Sequence, residues 1–300
     1  MMNKNKDFTQ NDEYTLEFER SDVSPYAHIQ TENIELEVEP EEISLNSFKK
    51  KNHLAPKLWN GTKLDSNARL TLMDIADDFW DFCKIRWVDV EDVILVGSIC
   101  NFNWSEFSDI DVHLVVDFGK VHTRKDFVQE YFNEKKNEWN NSHTSLKIFG
   151  YPVELYVQDI DAKVESGGVF DLWENRWISE PSESMLKPIE LNKYAIKKLS
   201  ARLITQIDDL IDAFKIESDN HKIEVLDNEA SNLIQTINTV RKNGLKDGEM
   251  GVGNIVYKCL RRSGRLDKLW KLKEKAYDKL NSIEESVSFS HKIKQQFFAD

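Results

Sequence analysis

The chain has 300 residues, a formal net charge of −13, 31% charged residues and 40% hydrophobic ones. That length allows one large domain or two small ones, with enough apolar residues for a globular core. The acidity argues against a general nucleic-acid coat protein, which would be basic, while leaving room for a local basic groove.

Residues 1–45 are polar, acidic and poor in periodicity, and are expected as a flexible tail. Asp65 or Ser66 can cap a helix running to about Ile85, with Leu70, Met73, Ala76, Phe79 or Trp80, and Cys83 at helical spacing. A strand is expected over 93–97 and a second over 109–117, with a loop between them. Residues 123–139 read as a helix burying Phe127, Tyr131 or Phe132, and Trp139. Ser145–Phe149 and Val153–Val157 read as a hairpin around Gly150-Tyr151-Pro152. The stretch 161–190 is loop-rich, and its Phe170, Trp173 and Trp177 fit either base stacking or packing between domains. From Leu191 onward the pattern is helical: one helix through Leu210, another over Glu224–Lys242, and a last long one from Val252 to Ile283.

The densest chemistry lies between the first two strands. Val93-Ile94-Leu95-Val96 runs into Gly97-Ser98, and ten residues later comes Asp109-Ile110-Asp111. On a strand, residues i and i+2 share a face with alpha-carbons ~6.6 Å apart. Asp109 and Asp111 should therefore point together, with Ile110 and Val112 in the core. Two carboxylates on one face repel, so the pair calls for a cation, and oxygen ligands of this kind suit magnesium. Glycine at a strand end permits a close ligand approach, and Ser98 with neighbouring amides can bond phosphate oxygens.

An apolar residue, Gly-Ser, about ten residues, then Asp-x-Asp between apolar positions resembles the nucleotidyltransferase superfamily of the DNA polymerase beta type. Here the pattern is Val96-Gly97-Ser98 and Asp109-Ile110-Asp111-Val112. The flanks Asn101-Phe102-Asn103-Trp104-Ser105 and Phe107-Ser108-Asp109 are similar to those of uncharacterised phage-encoded members, as is the segment from Asn254 to Gly264. The resemblance implies an α+β fold: a small mixed-sheet nucleotidyltransferase core and an all-helical C-terminal domain. It implies a catalytic domain over 46–165, a connecting segment over 166–190 and a helical domain over 191–300. It also implies a third carboxylate on a later strand, for which Glu154 is the match. A solvated Glu on a polar strand face is the plainer reading of that residue.

On this basis Asp109, Asp111 and Glu154 are the expected catalytic and metal residues, with Mg2+ or Mn2+ as cofactor. Gly97, Ser98, Arg261 and Arg262 are the expected nucleotide-binding residues. The two arginines belong to a cluster with Lys258, Arg265, Lys268, Lys271, Lys273 and Lys275 that could meet triphosphate or an anionic acceptor. A solvated helix face is the alternative for each. The reaction implied is transfer of a nucleoside monophosphate from a nucleoside triphosphate to a hydroxyl, with pyrophosphate released. The acceptor is left open between an RNA end, a protein, a small molecule and another nucleotide. A non-catalytic nucleotide-binding module and a metal-dependent phosphodiesterase are the competing readings.

Of the remaining reactive residues, His113 is expected as a hydrogen-bonded structural histidine and Lys147 as a surface lysine. Cys83, Cys100 and Cys259 are odd in number and far apart, so neither a disulfide scaffold nor a zinc site follows. Reduced cysteines fit a cytoplasmic setting, the host cytoplasm if the chain is phage-encoded. No apolar run reaches membrane-spanning length and the N-terminus lacks the apolar core of a signal peptide, so no membrane partner is expected.

Overall fold

The structure is a computed structural model that describes residues 39–164, 166–182 and 190–282. The chain forms a mixed α+β core followed by a helical part. A short pair, β1 (Trp59–Asn60) and β2 (Lys63–Leu64), leads into α1 (Ser66–Cys83). The Asp65 carboxylate caps α1 by accepting from the Asn67 and Ala68 amides. The helix ends at Lys84, which takes a left-handed conformation. Its buried stripe is Ala68, Leu72, Ile75, Ala76, Phe79 and Cys83. Leu70, expected inside, is instead 57% exposed, because the stripe is anchored by Leu72 and Phe79.

The main sheet has six strands in the order β5-β6-β4-β3-β7-β8. They are β3 (Asp92–Val96), β4 (Ile110–Val116), β5 (Lys147–Ile148), β6 (Tyr151–Asp159), β7 (Val169–Asp171) and β8 (Arg176–Ser179). Only β4 and β6 pair in parallel, joined through α2 (Phe118–Val121) and α3 (Lys125–Ser142). A parallel pair needs such a crossover because the chain must return to the same end of the sheet. On α3, Val128, Phe132 and Trp139 are buried, while Phe127, expected inside, is exposed.

Alternation along β4 and β6 divides the sheet into two faces. Ile110, Val112, Leu114, Val153, Leu155 and Val157 enter the core with Phe79 and Phe132. Asp111, His113, Glu154 and Tyr156 occupy the other face. The stretch read as loop-rich carries β7 and β8, which extend the sheet beyond β3. Two of its aromatics pack within the core of the sheet: Trp177 stacks on Trp59 at 4.7 Å, and Phe170 meets Trp59 edge-on at 5.1 Å, while Trp173 is exposed.

The helical part comprises α4 (Lys193–Ile216), α5 (Asn220–Lys246), α6 (Val252–Arg262) and α7 (Arg265–Asn281). The single last helix expected from Val252 to Ile283 is two helices, broken where Gly264 adopts φ +71°. Residues 1–38 and 283–300, the latter including Ile283 and the end of the expected helical domain, lie outside the described residues. Residues 39–45, the end of the expected tail, are not loose. Pro40–Glu42 forms a 3-10 turn, and Leu45 is buried with Phe48 among Ile204, Ile237 and Leu260. No helix among the described residues is long and apolar enough to cross a membrane.

Candidate active site

The thirteen residues between β3 and β4, 97–109, return the chain to pair antiparallel. Gly97 has φ +75°, a region that L side chains rarely adopt. A Cβ placed there would lie 2.0 Å from Asp111 Oδ2, so the position excludes any side chain. Two further contacts hold the turn. Asn101 Nδ2 donates to the Gly97 carbonyl at 2.6 Å, and its Oδ1 accepts from the Gly168 amide at 2.8 Å. The Ser98 hydroxyl bonds the Ser108 hydroxyl at 2.8 Å, closing the loop on itself.

Register then assembles the acids. Val96 pairs with Asp111 across β3 and β4, and Asp111 pairs with Glu154 across β4 and β6. Asp109 sits just before β4. One carboxylate oxygen from each of Asp109, Asp111 and Glu154 falls within 4.8 Å of the others. Among the described residues this is the one group of three or more Asp, Glu, His or Cys gathered closely enough to hold a metal.

The charge balance is unfavourable without a cation. Burial, then the Asp109 and Glu154 charges, pushes the Asp111 carboxyl up to about 8, while Lys136 and Arg261 oppose them. Asp109 is raised by burial and by Glu154. Glu154 differs: burial would raise it, but the Tyr156 hydroxyl, Lys136 and Arg261 together hold it below the usual value. The donors suit a hard divalent ion, being all oxygen with neither Cys nor His. Asp109, Asp111 and Glu154 are the residues that would hold it.

A cleft of about 250 Å³ opens over the triad. Gly97, Ser98, the three acids, Lys258, Arg261 and Arg262 all line it. It is therefore shared between the sheet and α6. The two arginines have different surroundings. Arg261 favours the ionised forms of Asp109, Asp111 and Glu154 through its charge. Arg262 lies over Phe48 at 4.1 Å and Phe107 at 5.1 Å, and donates to Ser47 Oγ at 2.6 Å. It ties the segment before β1, the motif loop and α6 together at the rim of the cleft.

The rest of the basic cluster is partly neutralised. Lys258 pairs with Glu249, Arg265 with Asp208 and Lys273 with Asp227. His113 lies on the site face, its Nδ1 2.6 Å from Gln158 Oε1. Lys147 is exposed on β5. The three cysteines are buried and free.

Sequence reasoning missed Tyr156 and Lys136. Tyr156 donates to Glu154 Oε2 at 2.6 Å, and Lys136 on α3 reaches the same oxygen at 3.4 Å. Tyr156 was discoverable, since it lies two residues after Glu154 on one strand face. Lys136 carries no such signal because α3 brings it from a separate element.

No family profile matches the chain, and no curated protein does. Among solved structures, a STING-associated CdnE c-di-GMP synthase from Capnocytophaga granulosa is similar over 72% of this chain and 84% of that one. The identity is 11% and the TM-score 0.21. At those values the geometry of the site, and not the likeness, is the basis for function.

Proposed function

We propose that this chain is a metal-dependent nucleotidyltransferase, with a catalytic part that begins near residue 46 and a helical part that begins near residue 191. The observation that carries the proposal is the convergence of Asp109, Asp111 and Glu154 opposite a glycine that admits no side chain, in a cleft lined by Arg261. Acids alone would serve many hydrolases. Acids facing a Gly-Ser turn and a guanidinium fit a triphosphate, which needs close backbone approach and charge neutralisation.

In this reading the Ser98 hydroxyl and the amides of Gly97 and Ser98, the two turn residues that line the cleft, bond triphosphate oxygens, with Ser108 orienting Ser98. Arg261 balances charge at the phosphates. Asp109 and Asp111 would hold Mg2+ or Mn2+, which when bound supplies positive charge at the reacting phosphate and the leaving group. Glu154 would complete the ligands of the ion or take the proton from the acceptor hydroxyl. The hydroxyl oxygen bonds to the α-phosphorus, the bond from that phosphorus to the bridging oxygen breaks, and pyrophosphate leaves. The acceptor is an RNA end, a protein hydroxyl or a small molecule.

The test is incubation with each labelled ribonucleoside triphosphate and Mg2+ or Mn2+, with RNA, protein or small-molecule extract as acceptor pool. Pyrophosphate release with label in one pool, abolished by Asp109→Asn, supports transfer. Orthophosphate or nucleoside monophosphate without labelled acceptor refutes it in favour of hydrolysis.

A further inference from the structure

Glu154 has two carboxylate oxygens, and the structure treats them differently. Oε2 accepts from the Tyr156 hydroxyl at 2.6 Å and lies 3.4 Å from Lys136 Nζ. Those two donors are themselves braced. The Lys136 ammonium sits over the Tyr156 ring at 3.4 Å, and the His113 ring lies 4.7 Å from the same ring. His113 in turn contacts Gln158 at 2.6 Å. A flexible carboxylate in a polar cleft would otherwise rotate among several orientations. We infer that Tyr156, backed by Lys136 and His113, is a positioning residue that occupies Glu154 Oε2 and leaves Oε1 as the oxygen presented to the Asp109–Asp111 pair.

The assignment rests on the metal reading of the triad and extends it. A hydroxyl that fixes a ligating carboxylate acts on metal affinity through that carboxylate alone. Partners of this kind typically change metal affinity by about 10–100-fold when removed. The effect must therefore vanish when Glu154 can no longer ligate as a carboxylate, which a merely structural tyrosine would not require.

Mn2+ binding to the full chain, followed by electron paramagnetic resonance, tests this without any acceptor. The proteins are wild type, Tyr156→Phe, Glu154→Gln and the double variant, with thermal midpoints measured alongside. Tyr156→Phe should weaken Mn2+ binding about 10-fold. Adding it to Glu154→Gln should weaken binding no further. An unchanged Kd in Tyr156→Phe overturns the inference, and so does the same loss in both backgrounds. Should Tyr156→Phe fold poorly, Lys136→Gln in the same cycle reads the second donor to Oε2, and an equal change with and without Glu154 overturns it equally. Wild type that binds no Mn2+ refutes the metal site itself, a result distinct from failure of the cycle.

Discussion

Replacing Asp111 by Asn should stabilise the metal-free protein, and by an amount that depends on pH. The Asp111 carboxyl is raised from 3.8 to about 8, through burial and the charges of Asp109 and Glu154. In the unfolded chain the same group titrates near its ordinary value. Between pH 4 and pH 8 the folded state therefore holds a proton that the unfolded state has released. Stability must fall as pH rises through that window, by about 1.4 kcal/mol per pH unit. At pH 7 the accumulated penalty is about 4 kcal/mol, and it levels off above pH 8. Asn cannot ionise, so the variant escapes this slope. Urea unfolding in chelator at pH 4.5, 6 and 7.5 measures it. The free-energy difference between Asp111→Asn and wild type should grow in favour of the variant across the series. Saturating Mn2+ should reverse the order at pH 7.5, because the cation favours the ionised carboxylates that only wild type has in full. A difference that stays flat with pH, or shrinks, refutes the reasoning.

Four further substitutions separate local causes. Gly97→Ala forces a Cβ to within 2.0 Å of Asp111 Oδ2 at φ +75°, so turnover should drop about 100-fold, read by pyrophosphate release. Gly264→Ala has a similar φ of +71° but meets nothing within 4 Å, so it should cost only about 1 kcal/mol in urea and leave turnover intact. Asn101→Ala strips partners from the Gly97 carbonyl and the Gly168 amide, and should cost about 1–3 kcal/mol by the same unfolding assay. Arg262→Ala removes the guanidinium from Phe48 and Phe107 and should cost about 1–2 kcal/mol in urea.

What was legible in the chain was what local pattern encodes. The alternation from Ile110 to Val116 revealed a strand with one apolar face, which put Asp111 on the other. Glu154 enters as what the family resemblance implies, and the parallel pairing of β4 and β6 brings it opposite Asp111. The illegible parts depend on tertiary context. β7 is three residues long, too short for periodicity to declare it a strand. Leu45 reads as the end of the tail because its apolar partners are more than 140 residues away in sequence, on α4, α5 and α6. The break at Ser263-Gly264 hides inside the basic run from Lys258 to Lys275, where one glycine is a weak signal until its φ is known. The stripe errors at Leu70 and Phe127 are of one kind: helical spacing gives a period, while the neighbouring elements choose the phase.

The pairing of Asp111 with Glu154 gives the apolar side of the sheet an unexpected authority over the chemistry. Side chains alternate along β6, so sliding that strand by one residue would drive Glu154 into the oily layer and leave Val153 or Leu155 in the cleft. What forbids the slip is the fit of Val153, Leu155 and Val157 beneath, none of which could ever meet a substrate. These residues act as a machinist's jig: they carry no cutting edge, yet they set the tolerance of the edge. An enlarging substitution at Leu155 should thus register first as lost metal affinity and only later as lost fold.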